Sequence, residues 1–200
     1  MRRLVAAVGE ILTEKGYTGL GINKIALQAG VTKELIYRYF DGLNNLLRTY
    51  IGGKDYWMPL LEELNTSGAR PDEEVLTLFV NLLQEQFRFF YREREMQKFI
   101  LWQISEVNSL MRSISEKRET EGAKLMALTS VHFAGSGISF KAIIALLLGG
   151  IYYVVLHAES NKSTVAGIDV NLEKDREEVL QSIAQILTWA WEKAAEKKAG

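Results

Sequence analysis

GYTGLGINKIALQAGVTKELIYRYFDGLNNLL, residues 16–47, carries two short apolar repeats at helical spacing, separated by a glycine. Ile22, Ile25, Ala26 and Ala29 line one face and stop at Gly30; Leu35, Ile36, Tyr37 and Phe40 follow in a second segment that starts at Thr32. Two short helices joined by a tight, glycine-bearing turn make a helix-turn-helix. Gly30 supplies a backbone angle that only glycine takes cheaply. Val31 plugs the angle between the helices, and the Thr32 hydroxyl is placed to cap the second one. A second helix held proud of the first is shaped to enter a DNA major groove. The expected partner is therefore double-stranded DNA. Lys33, one residue into the second helix, is placed to reach guanine O6 and N7, and Leu35 to touch a thymine methyl. Thr32 and Lys24 are further candidates for phosphate contact. Glu34 beside them repels phosphate unless it accepts from a cytosine amine.

Two hundred residues suit one or two domains. Apolar residues are 48% of the chain, enough for a sizeable core. There is no cysteine, which rules out disulfides and thiolate metal sites and suits a reducing, cytoplasmic setting. No charged start followed by an apolar run marks a signal peptide. The longest apolar run, residues 142–156, is 15 residues, short of the roughly 20 a membrane helix needs, so it reads as a buried helix and no membrane partner is expected. Net charge is −1, but residues 1–48 hold seven Lys/Arg against four acids, and the remainder is acidic. A mildly basic head on an acidic body fits a nucleic-acid reader better than a general polyanion binder.

The periodicity predicts an all-α chain of about nine helices, with a three-helix head over residues 1–48 and a helical body over 49–200. Helix one runs from Arg2 to Lys15 and ends at Gly16. Helix four begins near Leu43 and is weakened at Gly52-Gly53 and Met58-Pro59, either as a hinge or as a simple break. Asn65 to Pro71 reads as a loop, Asp72 to Glu95 as a helix, Met96 to Met111 as its bent continuation, and Ser113 to Leu128 as another helix. A loop spans Ser130 to Gly137. Ser139 is placed to cap the apolar helix ending near Ala158, Glu159 to Asn171 is loop-like, and Leu172 to Lys197 forms the last helix, with Asp169 or Asn171 as its cap.

The head resembles the TetR family of bacterial transcriptional regulators. Ala6-Ala7, Gly16-Tyr17, Ile25-Ala26, Ala29-Gly30-Val31, Thr32-Lys33, Tyr37 and Phe40 carry the likeness; beyond about residue 50 only helical layout and length do. The chain departs from the family pattern at Gly21, where Ser or Thr is usual, at Leu43, where Lys is usual, and at Glu34, where a small residue is common. The resemblance implies a ligand-responsive regulator, a repressor in the expected reading. As a homodimer it would bind a palindromic operator, and a small apolar or aromatic effector would release it by population shift. It implies that Asn23 reaches a base edge and that Tyr37 and Tyr39 donate to phosphates, although both rings also suit packing. Two other readings stay open, a constitutive DNA-binding protein without effector response and a helical small-molecule-binding protein.

In the last helix Val179, Leu180, Ile183, Ile186, Leu187, Ala190 and Trp191 form an apolar stripe, and Gly149 and Gly150 in the preceding helix allow close approach of another helix. Intrachain core and oligomer interface both fit that pattern; the resemblance favours a dimer interface containing Gly149, Gly150, Ile183, Ile186, Leu187 and Ala190. The middle of the body is rich in rings. Phe79, Phe90, Phe99, Trp102 and Tyr153, with Gln86, Gln103 and His157 as sparse polar groups, are the residues expected at an effector pocket, although rings at helical spacing are more often core. Arg88, Arg92, Arg94 and Lys98, offset by Glu93 and Glu95, read as a solvated face.

No catalytic, cofactor or metal constellation assembles. His132 and His157 stand 25 residues apart without metal-ligand spacing. Gly135-Ser136-Gly137 lacks the spacing of a nucleophile elbow, and Gly19-Leu20-Gly21 is too short for a dinucleotide fingerprint. An enzyme is not expected.

Overall fold

The computed structural model describes residues 1–54 and 71–199, and every periodic segment within them is α-helical. The breaks at Met58-Pro59 and most of the loop from Asn65 lie outside the described residues. Among those described, ten α-helices and one 3-10 turn account for the regular structure. The only strand-like feature among them is an isolated bridge between Val165 and Ile168.

The helices form two compact units, one holding described residues 1–54 and 93–121, the other 71–92 and 122–199. In the first, α1 (Arg2–Lys15) buries Leu4, Ala7, Val8, Ile11 and Leu12 along one face. It stops where Gly16 turns to φ +67° and donates its N–H to Leu12. A 3-10 turn, Tyr17–Gly19, follows. A Cβ on Gly19 would stand 2.7 Å from that of Lys15, so glycine is required there by close approach. Next come α2 (Ile22–Gln28), α3 (Glu34–Phe40) and α4 (Leu43–Gly52). Ile25, Ile36, Leu46 and Leu47 join α1 in a shared core.

The expected helix Asp72 to Glu95 ends early: α5 is Asp72–Arg92, and Glu93 (φ −92°, ψ 87°) leaves helical geometry before α6 (Arg94–Ser105) begins. The expected continuation to Met111 also breaks. Glu106 is extended, and the Asn108 carboxamide oxygen accepts from the N–H groups of Leu110 (2.9 Å) and Met111 (3.3 Å), capping a new helix, α7 (Ser109–Ala127). Neither break involves proline or glycine, so periodicity alone does not mark them. α6 buries Met96, Phe99, Ile100 and Trp102 and packs against α1. A division at residue 48 would have placed α6 in the body; it lies in the same compact unit as the head.

In the second unit α5 buries Val75, Phe79, Leu82, Leu83, Phe87 and Phe90. A short helix, α8 (Ser130–Phe133), interrupts the expected loop. Ser139 caps α9 (Phe140–Asn161) as expected, accepting from Ala142 N–H at 3.4 Å. α10 (Glu173–Ala199) packs along α5, and Gln84 donates to the Leu180 carbonyl at 2.9 Å. The expectation that α9 is a buried helix is corrected. Of its 22 residues only Phe140, Ile151, Val155 and Ala158 are buried, and its long apolar sequence leaves a second face uncovered within the chain. By length and composition alone it is also long and apolar enough to cross a membrane.

Candidate nucleic-acid interface

The turn between α2 and α3 is closed by two backbone bonds. Gly30 N–H reaches Leu27 and Val31 N–H reaches Ala26, at 3.1 and 3.0 Å. This is the Schellman pattern, and Gly30 holds the left-handed position it requires, φ +62°. The same turn is tied to α1, because the Arg3 guanidinium donates to the Gly30 carbonyl at 3.2 Å.

The two helices present a consistent division. Ile25, Ala26, Ile36 and Phe40 face the core. Asn23, Lys24, Thr32, Lys33, Tyr37 and Tyr39 are exposed, and Leu35 is half-buried. Tyr37 is 55% and Tyr39 45% exposed, so neither ring is committed to packing within the chain. Leu35 spends part of its surface on the protein, which leaves less of it for a partner.

The start of α3 differs from expectation. The helix begins at Glu34, Lys33 is its cap residue, and no side chain makes a capping bond there. The Glu34 backbone N–H first, and Thr32 second, hold the Glu34 carboxylate below its ordinary range. Glu34 is exposed, so its negative charge belongs to this surface. Arg38 was absent from the residues expected at this surface. It is exposed, with its guanidinium carbon 5.9 Å from the centre of the Tyr39 ring. Cation count on α3 was the available signal.

The residues expected at an effector pocket are distributed over both units. In the second, Gln86 Nε2 donates to the Tyr152 hydroxyl at 3.3 Å. The Phe90 and Tyr152 rings lie 4.7 Å apart, and Phe79 meets Phe140 edge-on at 5.2 Å. His157 receives the Asn161 side chain at Nδ1, 3.1 Å, and its ring lies 5.5 Å from Tyr153, which is largely exposed. Gln86 Oε1 and His157 Nε2 are buried with no hydrogen-bond partner among the described residues. In the first unit, Trp102 stacks on Tyr17 with centroids 5.6 Å apart and planes 2° from parallel. Gln103 donates to Ser115, and the Arg118 guanidinium lies 5.5 Å from the centre of the Phe99 ring. Trp102 Nε1 and Gln103 Oε1 are likewise buried without a partner among the described residues.

The expected dimer residues divide. Gly149, Gly150 and Ile186 are exposed; Ile183, Leu187 and Ala190 are buried inside a single chain, and Leu187 is wholly inaccessible. The cause is simple: α10 lays that side on its own unit, so five of the seven residues of the expected stripe, Leu180, Ile183, Leu187, Ala190 and Trp191, are core. The side left open carries Trp189 (60% exposed) with Ile186, and α9 adds Leu146 (76%) and Tyr153 (58%). The solvated face expected at Arg88 to Lys98 also needs correction at Glu95, whose carboxylate bonds Tyr50 and Lys54.

Residues 4–49 match the profile of a family described as bacterial regulatory proteins, tetR family. No curated protein matches the chain significantly. Among solved structures the chain is similar to a fatty acid metabolism regulator of Clostridium perfringens (17% identity, 92% of this chain and 97% of that one, TM-score 0.67). It is also similar to FadR of Bacillus subtilis, solved with stearoyl-CoA (17%, 93% and 96%, TM-score 0.63). A third is NalD of Pseudomonas aeruginosa, the secondary repressor of the MexAB-OprM multidrug efflux pump (18%, 92% and 94%, TM-score 0.62). At these identities the likeness is one of fold.

Proposed function

We propose that this chain, whose residues 4–49 match the tetR-family profile, is a TetR-family repressor that binds a palindromic operator as a homodimer and lets go when a small apolar molecule occupies its body. The observation that carries the DNA-binding part is the division of α2 and α3 into a buried side and an outer side bearing Asn23, Lys33, Tyr37 and Tyr39. Lys33 reads a guanine edge, Asn23 an adenine, and the two tyrosines with Thr32 and Lys24 hold phosphates. Leu35 plays a smaller part, against a thymine methyl.

One short helix reads too few bases for specificity, and a two-fold dimer supplies the second reading head. The open sides of α9 and α10, with Leu146, Tyr153, Ile186 and Trp189, support the dimer. A Cβ at Gly149 or Gly150 would meet nothing within 4 Å, so a helix of a second copy has room to approach there. Covering this face with a second copy also removes the reason to assign α9 to a membrane, and leaves the protein in the cytoplasm with its DNA.

For the effector, the half-satisfied Gln86 and His157 beside Phe90 and Tyr153 support a mostly apolar site with a few polar contacts. A long acyl thioester is the first class to try, because the Bacillus subtilis relative is solved with stearoyl-CoA. An effector favouring the state that misfits DNA lowers operator affinity by the ratio of its affinities for the two states.

The test is selection of bound duplexes from random DNA, followed by affinity measurement on the selected site. Lys33→Ala is expected to cost about 1–3 kcal/mol on that site and to relax preference at one base pair. Tyr37→Phe should weaken all sequences alike. Failure to enrich any sequence refutes DNA reading. Unchanged operator affinity with stearoyl-CoA demonstrably bound refutes the release mechanism for that ligand.

A further inference from the structure

A groove of about 750 Å³ runs along α1 in the first unit. Arg2, Ala6, Gly9 and Thr13 follow one another down it at helical spacing, so it uses nearly the whole length of that helix. The other wall is the end of α4 and the residues just after it, through Tyr50 and Lys54. The two walls meet at Gly9, where a Cβ would stand 3.1 Å from the Tyr50 ring. Small-ligand sites commonly enclose about 300–1,000 Å³. None of the residues assigned above to DNA, to an effector or to a dimer lines this groove.

Charge is sorted along it. Arg2 stands at one end and Glu14 at the other, twelve residues on and so about 18 Å along the axis. Both are exposed, and neither has a hydrogen-bond or ion-pair partner among the described residues. The charges between them are already engaged: Glu10 accepts from Gln28 at 2.7 Å, and Lys54 lies 3.0 Å from Glu95. Val5, Ala6, Phe40 and Tyr50 give the middle an apolar lining. The α1 dipole has the same sense, favouring an anion at the Arg2 end and a cation at the Glu14 end.

An occupant that matches is elongated, apolar in its middle, and carries a carboxylate at one end and an ammonium at the other. An extended chain advances about 3.3 Å per residue, so about five residues of peptide cover the distance. The Thr13 hydroxyl and the remaining protons of the Lys54 ammonium offer partners to main-chain amides, which a plain hydrocarbon would leave unmet. We propose that this groove binds a short apolar peptide with free termini, its carboxylate at Arg2 and its ammonium at Glu14. The site lies on the unit that holds the head, and it requires neither DNA nor the effector-released reading above.

The experiment is an amide-resolved NMR titration of the full chain with a pool of pentapeptides built from Ala, Val, Leu and Thr with free termini, then with the strongest binder alone. Shifts are expected at Val5, Ala6, Thr13 and Thr49. Acetylating the peptide N-terminus should weaken binding up to about fivefold, as exposed ion pairs do. Glu14→Gln should do the same, and the two changes together should cost no more than either alone. Amidating the peptide C-terminus and Arg2→Gln should form a second such pair. Ala6 is exposed, so Ala6→Trp should fill the groove and abolish binding while the melting midpoint stays at the wild-type value. No shift along the groove from any pool member at millimolar concentration overturns the proposal. A binder indifferent to blocking of both its termini overturns it too, as does octylamine binding there as tightly as the best peptide, which would make this a site for alkyl cations.

Discussion

The Arg3 guanidinium donates to the Gly30 carbonyl at 3.2 Å, linking the first turn of α1 to the turn between the two reading helices across 27 residues of chain. This bond is exposed, so its loss in Arg3→Ala should cost under about 1 kcal/mol. Gly30→Ala should cost more, about 1–2 kcal/mol, because φ is +62°. No atom lies within 4 Å of the added Cβ, so the penalty is purely one of backbone conformation. Thermal melts of the two variants check the ordering, and a costlier Arg3 variant would contradict it.

Glu34 carries a full negative charge on the surface proposed to meet DNA. Glu34→Gln should raise operator affinity several-fold at low salt, with the gain shrinking as salt is added. Folding lowers the pKa of this carboxyl, so its contribution to stability is present above the ordinary value of 4.5 and fades as pH falls below it. Thr32→Ala should flatten part of that acid limb in a pH-dependent melt.

Leu187 and Leu146 should behave in opposite ways. Leu187 is completely buried, and Leu187→Ala should cost about 2–5 kcal/mol of fold stability. Leu146 is 76% exposed, and Leu146→Glu should leave the fold intact while converting dimer to monomer. Light scattering after gel filtration, alongside circular dichroism, separates the two. A Leu146→Glu dimer would place the interface elsewhere.

Tyr50 should ionise late. Burial, then the Glu95 hydrogen bond, push its phenol well above the ordinary value near 10. The neutral form is favoured in the folded chain, so its contribution is fully present below that value and is lost as pH rises beyond it. Alkaline difference absorbance should show one fewer late-titrating phenol in Tyr50→Phe, and the alkaline fall in wild-type stability should become shallower. An identical titration in the variant would refute the assignment.

The connection between α9 and α10 stores correctable strain. Val165 and Ile168 exchange two backbone bonds, at 2.9 and 3.0 Å, around Ala166 (φ +54°) and Gly167 (φ +86°). That is the geometry of a two-residue hairpin turn, in which both central residues need positive φ. Ala166→Gly should raise stability by about 0.5–1 kcal/mol, read as an upward shift of the melting midpoint.

The head was legible because its signals are local. Apolar spacing from Ile22 to Phe40, a glycine at the one left-handed position, and a basic count on the same segment are properties of neighbouring residues, and both helices formed there, α3 two residues later than its spacing suggested. Apolar spacing failed where a polar side chain two or three residues away decided a helix start. Asn108 started a new helix inside a continuous apolar pattern, and α3 began at Glu34 with no side-chain cap from Thr32.

Which side of an amphipathic helix meets its own chain is a different kind of question. The stripe on α10 looks the same whether its partner is α5 or a second copy, because spacing encodes a face but not the face's neighbour. Only the folded chain assigns Leu187 to the core and leaves Trp189 outside. The pairing of Glu95 with Tyr50 is likewise invisible in one dimension, since 45 residues separate them and their meeting depends on the absence of a side chain at Gly9. Helix positions follow from short-range chemistry; contacts between helices follow from how their surfaces share a limited volume.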